Sequence, residues 1–464
     1  MITLIFSLST PLLLPAQTFY FGADQSYVNE LEDCGATYFE NGEAKDVYDI
    51  FADHGCNLVR LRLWHTPSWY DNLNDGQRYS DLADVQKSIA RAKAQNMDVL
   101  LDFHLSDTWA DPSNQLVPAA WLDVVDDLPI LQDSLYNYIF NTLSTLHQEN
   151  VLPELVQIGN ETNKGILQSP TDNETWALDW PRNAALFNTA ISAVRAVENN
   201  TGASIKIVLH VADPDNTAWL IQAFHDNGVT DFDIIGISYY WAWHQPTTIA
   251  QTGEAIEQLR DTYPDKEVLI VETGYIWTNE SNDNANNIIS AVHPDYSPAS
   301  PTNQRDWLID LAKVVIESGG LGVCYWEPSW VSSDCYTQWG QGSHQEHATF
   351  FDFDNHLLLP GGIEWMNYPY DLTTSTQPPA WKEQVKISYA PLEQQVQISL
   401  NDHSSTSKFR YAIVDSIGRQ YLAGKLTDAS TSVSLKNYPS GLYVVLLKGQ
   451  SGLTIAQKIV HYVP

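Results

Sequence analysis

Glu161 and Glu272 each close a short apolar run, in Gln157-Ile-Gly-Asn-Glu161 and Leu269-Ile-Val-Glu272. Two carboxyls brought face to face can divide the work of glycoside hydrolysis: one protonates the leaving oxygen, the other attacks or activates water. In a chain with 57 Asp and Glu, a carboxylate is solvated surface by default, and strand-end position sets these two apart. Asn160, beside Glu161, offers an amide that can hold a sugar hydroxyl. Arg60 and Arg62 alternate onto one face of an apolar run, where inward guanidiniums can fix the ionisation of a nearby carboxylate. Asp102 and His104 share a face in the same way, although a buried structural network explains them equally well. Tyr239, Tyr240 and His244 end or follow another run, and Trp326, Glu327 and Trp330 follow the last. Trp326 can floor the subsite of the cleaved ring, and Trp109 and Trp121 can extend a cleft.

These positions acquire meaning from the elements that hold them. Eight strand candidates, Phe19–Gly22, Asn57–Leu63, Asp98–His104, Leu155–Gly159, Ile205–His210, Ile234–Tyr240, Val268–Glu272 and Gly322–Trp326, alternate with amphipathic segments. The helical segments are 47–54, 84–95, 133–147, 184–198, 218–226, 256–263 and 307–318, and Gly55 and Gly319 sit where C-caps belong. The pattern predicts an α/β fold, a (β/α)8 TIM barrel. A doubly wound sheet is the rival, but no glycine-rich phosphate turn follows the first strand. Thr373–Pro379 reads as a linker. Beyond it, period-two runs at Val385–Ala390, Val396–Leu400, Phe409–Val414, Ser432–Leu435, Leu442–Leu447 and Leu453–Val460 predict a small all-β sandwich. The expected division is 1–17 leader, 18–370 barrel, 371–382 linker and 383–464 sandwich.

The 464 residues suffice for one large domain and a small one. A formal charge of −33 excludes nucleic acid and anionic membrane as partners, since both demand clustered Lys and Arg. The 16 Trp and 23 Tyr point mildly to sugar rings, although packing accounts for most of them. The apolar start, up to about Leu14, is too short to span a bilayer and reads as a secretory leader cleaved near Ala16 or Gln17. Cys34, Cys56, Cys324 and Cys335 permit disulfides without specifying pairs, and free buried thiols fit as well.

Several strings resemble the endo-β-1,4-galactanases of glycoside hydrolase family 53: Phe21-Gly-Ala-Asp24, Val59-Arg-Leu-Arg-Leu-Trp64, Asp102-Phe-His-Leu-Ser-Asp-Thr-Trp-Ala-Asp-Pro112, Gln157-Ile-Gly-Asn-Glu161, Tyr325-Trp-Glu-Pro-Ser-Trp330 and Phe350-Phe-Asp-Phe353. The resemblance covers about residues 19–365. It implies a retaining double displacement on the β-1,4-galactan side chains of pectin, with Glu161 as acid/base and Glu272 as nucleophile, the carboxyls about 5–5.5 Å apart. It further implies substrate contacts from Arg62, His104, Trp109, Asn160, Tyr239, Tyr240, His244 and Trp326. Where the family often has Tyr-Tyr-Pro-Phe-Trp-His, this chain reads Tyr239-Tyr-Trp-Ala-Trp-His244, which bears on subsite detail. The chemistry needs no cofactor. Some bacterial relatives carry a calcium loop after the second glutamate, and the corresponding residues here are Glu280, Asn282, Asn284 and Asn286; an ordinary polar loop fits them as well. The tail, with Tyr411-Ala-Ile-Val-Asp-Ser-Ile-Gly-Arg419 and Tyr438-Pro-Ser-Gly-Leu-Tyr-Val-Val445, resembles the sorting domain of type IX secretion substrates. A carbohydrate-binding module is the rival, weakened because no Trp follows Trp381. The expectation is therefore a monomeric, secreted or surface enzyme of a Gram-negative bacterium, meeting a polysaccharide and a secretion machinery and making no stable membrane insertion. A barrel glycanase acting on mannan or glucan and a non-catalytic glycan-binding protein are the alternatives.

Overall fold

Eight apolar runs become eight parallel strands. They are β1 (Tyr20–Asp24), β2 (Leu58–Leu63), β3 (Asp98–Phe103), β4 (Leu155–Ile158), β5 (Lys206–Ala212), β6 (Ile234–Tyr239), β7 (Glu267–Thr273) and β8 (Gly322–Tyr325). Each pairs with its neighbours in chain order, and β8 pairs back onto β1 to close the barrel. This computed structural model describes residues 19–176, 178–372, 385–390, 393–400, 410–415, 419–426, 430–448 and 454–461. The expected leader, its cleavage site and Thr373–Pro379 lie outside the described residues.

Period-two alternation sorts each strand into a helix-facing and a barrel-facing set. Leu58, Leu100, Leu155, Val208, Ile234 and Leu269 point inward and form one apolar plug. Two residues further along the same faces come Arg60, Asp102, Gln157 and His210, all buried. The barrel is thus filled with hydrocarbon below and with polar groups towards the C-terminal ends of the strands. Buried polar groups at this depth must satisfy one another.

The surrounding helices are α1 (Val28–Asp33), α2 (Val47–Asp53), α3 (Leu82–Ala94), α4 (Leu128–Gln148), α5 (Trp180–Thr201), α6 (Pro214–Asp226), α7 (Ile249–Thr262) and α8 (Pro301–Glu317). From α4 to α8 they begin four to seven residues before the hydrophobic pattern announces them. The cause is local. Asp127, Asp179, Asp213 and Ser300 cap the N-termini, each followed by proline at the first or second helical position. There proline forfeits no hydrogen bond, so a residue that reads as a breaker in fact opens the helix. Thr248 and Gln251 do the same for α7 through a reciprocal capping box.

Cys34, just past α1, is bonded to Cys335 in the segment after β8, while Cys56 and Cys324 are buried free thiols. The C-terminal strands are β9 (Val385–Ala390), β10 (Gln395–Leu400), β11 (Arg410–Asp415), β12 (Gln420–Lys425), β13 (Ser430–Ser434), β14 (Gly441–Lys448) and β15 (Thr454–His461). They form antiparallel sheets ordered β9-β10-β13 and β12-β11-β14-β15 around one apolar core that includes Val396, Ile413, Val433 and Val445. Of these, β12 has no counterpart among the expected runs. Its Gly424 weakens the strand signal, and a side chain there would strike the ring of Tyr411 across the ladder.

Candidate active site

The polar upper layer of the barrel is organised by Arg60. Nη1 lies 2.8 Å from Asp24 and 3.1 Å from Glu272, and Nη2 lies 3.0 Å from Asp102 and 2.7 Å from the amide oxygen of Asn160. Nε donates to Gln157 at 3.3 Å. One guanidinium with five donors therefore joins strand ends that enclose the barrel mouth. Asp102 also accepts from Gln157 (2.9 Å) and meets Nδ1 of His104 at 2.7 Å. That leaves Nε2 of His104 buried without a protein partner, on the wall of the cleft.

Above this layer opens a cleft of about 320 Å³, lined by Arg62, His104, Trp109, Asn160, Glu161, Glu272 and Trp326 among others. Glu161 holds a left-handed backbone conformation, φ 45°, and follows Gly159 at φ 74°. Such a conformation costs a side-chain-bearing residue roughly 1–2 kcal/mol and must be imposed by its surroundings. Here the Glu161 N–H donates to His210, and Gln115 donates to the carbonyls of Asn160 and Glu161. Asn160 is equally fixed, its Nδ2 donating to Ala110 O at 2.8 Å. The second hydrogen of that amide remains for a ligand.

The two glutamates share the cleft but not their partners. Burial raises the pKa of both. For Glu161 the next influence is the negative charge of Glu272, which raises it further. For Glu272 the next influences oppose burial: the Arg60 guanidinium, then a hydrogen bond from the Tyr240 hydroxyl at 2.8 Å. The pair titrates as a unit, but its first proton is lost more easily from Glu272. At intermediate pH the arrangement holds one carboxylate and one carboxylic acid facing a common space.

Aromatic rings build the walls. Trp109 and Trp326 stand 5.7 Å apart, edge to face, and Trp326 meets Trp330 at 6.0 Å. Arg62 lies within 4.5 Å of the ring centres of Tyr27, Trp64 and Trp109, with Nη1 3.3 Å from buried Glu327. It thereby braces Trp109 from behind as well as reaching the cleft. Tyr240 touches Glu272. Tyr239 points the other way along the pleat: its hydroxyl donates to Thr247 O and its ring stacks on Trp307 of α8, outside the cleft lining. His244 also stands outside the lining, its Nδ1 accepting from Tyr240 N. Trp121 packs on His65 and Tyr138 beneath its loop.

The cleft gains residues that strand-end reasoning passed over: Asp111, Trp243, Ile288, Trp339 and His344. Trp243 (46% exposed) lies in the departing Trp-Ala-Trp string, which was the available signal; Trp339 (40% exposed) sits well beyond the last barrel strand, Gly322–Tyr325. The loop bearing Glu280, Asn282, Asn284 and Asn286 is tied down by protein groups. Asn282 N donates to Glu346, Asn284 Nδ2 to Gln341, and the Asn286 carbonyl meets His344. Its other carboxylate, Asp283, accepts from the N–H groups of Ala285, Ser333 and Ser343. Among the described residues no group of three or more His, Cys, Asp or Glu gathers as metal ligands do.

Residues 20–360 match the family model described as glycosyl hydrolase family 53, and residues 390–462 match that of a secretion system C-terminal sorting domain. An arabinogalactan endo-β-1,4-galactanase of Cellvibrio japonicus is 47% identical over 72% of this chain and 86% of its own length. An endo-β-1,4-galactanase of Bacillus subtilis is 32% identical, covering 73% of this chain and 84% of its own. Among solved structures, the GH53 catalytic domain of Ignisphaera aggregans aligns with a TM-score of 0.68 at 33% identity, over 78% of this chain and 98% of that one. A fungal β-1,4-galactanase aligns at 0.63 and 28% identity, over 75% and 99%.

Proposed function

The chain belongs to glycosyl hydrolase family 53 and is a glycoside hydrolase, and on that premise we propose that it cuts β-1,4-galactosidic bonds within galactan and arabinogalactan, the neutral side chains of pectin, with retention of configuration. The observation that carries this reading is the asymmetry of the two cleft glutamates. Glu161, raised by burial and by its partner's charge, is the acid that protonates the leaving oxygen. Glu272, held towards ionisation by Arg60 and Tyr240, attacks the anomeric carbon. Glu161, then deprotonated, activates the water that releases the product. His104 and Asn160 hold sugar hydroxyls, and Trp326 and Trp109 take the apolar faces of the rings. In this scheme the carboxyls stand about 5–5.5 Å apart, without room for an intervening water.

No cofactor enters the reaction. A calcium ion on Glu280, Asn282, Asn284 and Asn286 would brace the loop after β7 and would not touch the bond being cut. The C-terminal sandwich supports secretion or surface display, through the outer membrane of a Gram-negative bacterium; among the described residues no helix is long and apolar enough to cross a membrane. We assign 18–370 to catalysis and 383–464 to sorting, in a monomer.

The test is reducing-sugar release from β-1,4-galactan by the wild type beside Glu161→Gln and Glu272→Gln, with proton NMR of the first product. We expect short galacto-oligosaccharides appearing first as the β-anomer, and losses of at least about 100-fold in both variants. The α-anomer first would refute retention. Activity on mannan or glucan in place of galactan would refute the substrate, and silence on all three would leave a binding protein.

A further inference from the structure

The loop after β3 is bolted to the strand end that carries Glu161. Asn160 Nδ2 donates to Ala110 O at 2.8 Å. Nε2 of Gln115 lies 3.0 Å from Asp111 O, 2.8 Å from Asn160 O and 3.2 Å from Glu161 O, so one amide ties the three backbones together. Lys164, three residues past Glu161, adds a hydrogen bond to Ser113 O. Asp111 is thereby fixed to the backbone of Glu161, and it lines the cleft beside it. Its two carboxyl oxygens have different surroundings. Oδ1 accepts from the N–H and the hydroxyl of Ser113, both at 2.6 Å, with Asn114 N at 3.0 Å. Those donors fill its lone pairs and close a tight turn. Among the described residues nothing donates to Oδ2 and no cation pairs with it, and it is not a buried orphan, for Asp111 is only half-buried. Oδ2 is the free acceptor of a rigidly held residue on the cleft wall.

Barrel order indicates which part of the substrate this acceptor meets. Glu272 lies on β7, and Trp326 and Trp330 follow the adjacent β8. Glu161 follows β4, and Asp111 comes from the loop after the adjacent β3. The tryptophans thus flank the nucleophile, whereas Asp111 flanks the acid, the group that stands on the side of the departing oxygen. We propose that Asp111 is a specificity-determining residue for the leaving sugar, its Oδ2 accepting a hydrogen bond from one hydroxyl of the galactosyl unit whose O4 departs. This rests on the reading of Glu161 as acid/base. A 4-linked leaving unit carries free hydroxyls on C2, C3 and C6, and each of them is a donor that a carboxylate oxygen suits. The contact holds the departing ring so that O4 meets the proton on Glu161. It acts in glycosylation and has no part in the later attack by water, because the unit it holds has then left.

The experiment keeps one galactobiosyl donor and varies what leaves it: dinitrophenol, a methyl galactoside, or that galactoside deoxygenated at C2, C3 or C6. Asp111→Asn retains Oδ1 for the Ser113 turn and puts an amide donor where Oδ2 accepts. We expect its kcat/KM on the methyl galactotrioside to fall by about tenfold or more, with the dinitrophenyl substrate within about twofold of wild type. With wild type, one of the three deoxygenated substrates should lose about as much as the variant loses on the parent. On that same compound Asp111→Asn should lose nothing further, since the contact is already gone. Equal losses on the parent and the dinitrophenyl substrate would overturn the proposal. So would wild-type rates unchanged by any deoxygenation, or losses that add, the sign of an effect exerted only through the acidity of Glu161. If Asp111→Asn does not fold, Asp111→Ser, whose hydroxyl takes the turn's N–H and leaves nothing at Oδ2, is measured in its place. The acid/base reading is checked separately by Glu161→Ala with the dinitrophenyl substrate and azide. Rescue by azide upholds that reading, and its absence refutes it, whatever the Asp111 variants do.

Discussion

Two glutamates of identical chemistry differ here only in what surrounds them. Arg60 reaches Glu272 directly at 3.1 Å, and the Tyr240 hydroxyl donates to it at 2.8 Å. Both contacts lower the pKa of Glu272, the guanidinium more than the hydroxyl, against the upward push of burial. The sign of a test follows. Tyr240→Phe removes a donor that favours the carboxylate, so the pKa of Glu272 rises and activity on the acid side is lost at a higher pH. We expect the acid limb of kcat/KM to shift up by about one unit while the alkaline limb moves less; a pH profile on galactan checks this. Residue by residue, the sequence marks what ends a strand. Asn160, Glu161, Glu272, His104 and Trp326 all carry that signature, and all line the cleft. It does not tell Tyr239 from Tyr240, because neighbours on a strand take opposite faces and the phase is set by the barrel. It also misses Trp243, Ile288 and Trp339, which come from loops whose return to the cleft has no local signature.

At the scale of elements, the eight barrel strands were legible to within two residues at either end, and the starts of α4 to α8 were not. A hydrophobic stripe begins only where a helix meets the core, whereas the helix begins at its cap, and the cap-plus-proline pairs lie a turn or more earlier. The segment 335–342 shows how a loop becomes a wall. Tyr336–Thr337 pairs with Gly340–Gln341 as a short hairpin. Asn74 donates to and accepts from the Tyr336 backbone, and Gln338 donates to Thr108. At its tip Trp339 lies 5.3 Å from Trp69 and 5.9 Å from Trp109. The Cys34–Cys335 bond anchors its base and spans 301 residues. In the chain-entropy limit, closing so long a loop restricts the unfolded chain by up to about 6 kcal/mol. Cys34→Ser should therefore lower Tm by several degrees in a thermal melt. Because Trp339 would lose its fixed position, it should also raise KM for galactan a few-fold while changing kcat less.

At the scale of the molecule, charge separates the two parts. Residues 383–464 contain eight Lys and Arg and five Asp and Glu, so the formal −33 rests on the part before them. A negative barrel suits a neutral sugar polymer and is poorly suited to anions. The cleft residues all fall between Arg60 and His344, and the barrel core extends to Met366. Every contact assigned to chemistry is thus made within the barrel. A chain ending at residue 372 should fold and hydrolyse galactan with kcat and KM within about twofold of the full protein. Its failure to reach the medium when expressed in a host with the matching secretion system would place export in the sandwich. A large loss of kcat in the shortened chain would refute this division.

The sequence by itself determined the order of strands and helices, the two-part organisation and the glutamates at strand ends. Each of these is written in short-range periodicity: alternation of two in a strand, 3.6 in a helix, and polar residues where an apolar run stops. The tertiary structure decided what depends on closure. Bending eight strands into a ring brought Arg60 onto five side chains from four other strands or their ends, paired Cys34 with Cys335 and left Cys56 and Cys324 free. It turned Tyr240 in and Tyr239 out, and set the Glu161 N–H on the buried imidazole of His210. Those contacts join residues tens to hundreds of positions apart, and only the shear and closure of the barrel fix which of them meet.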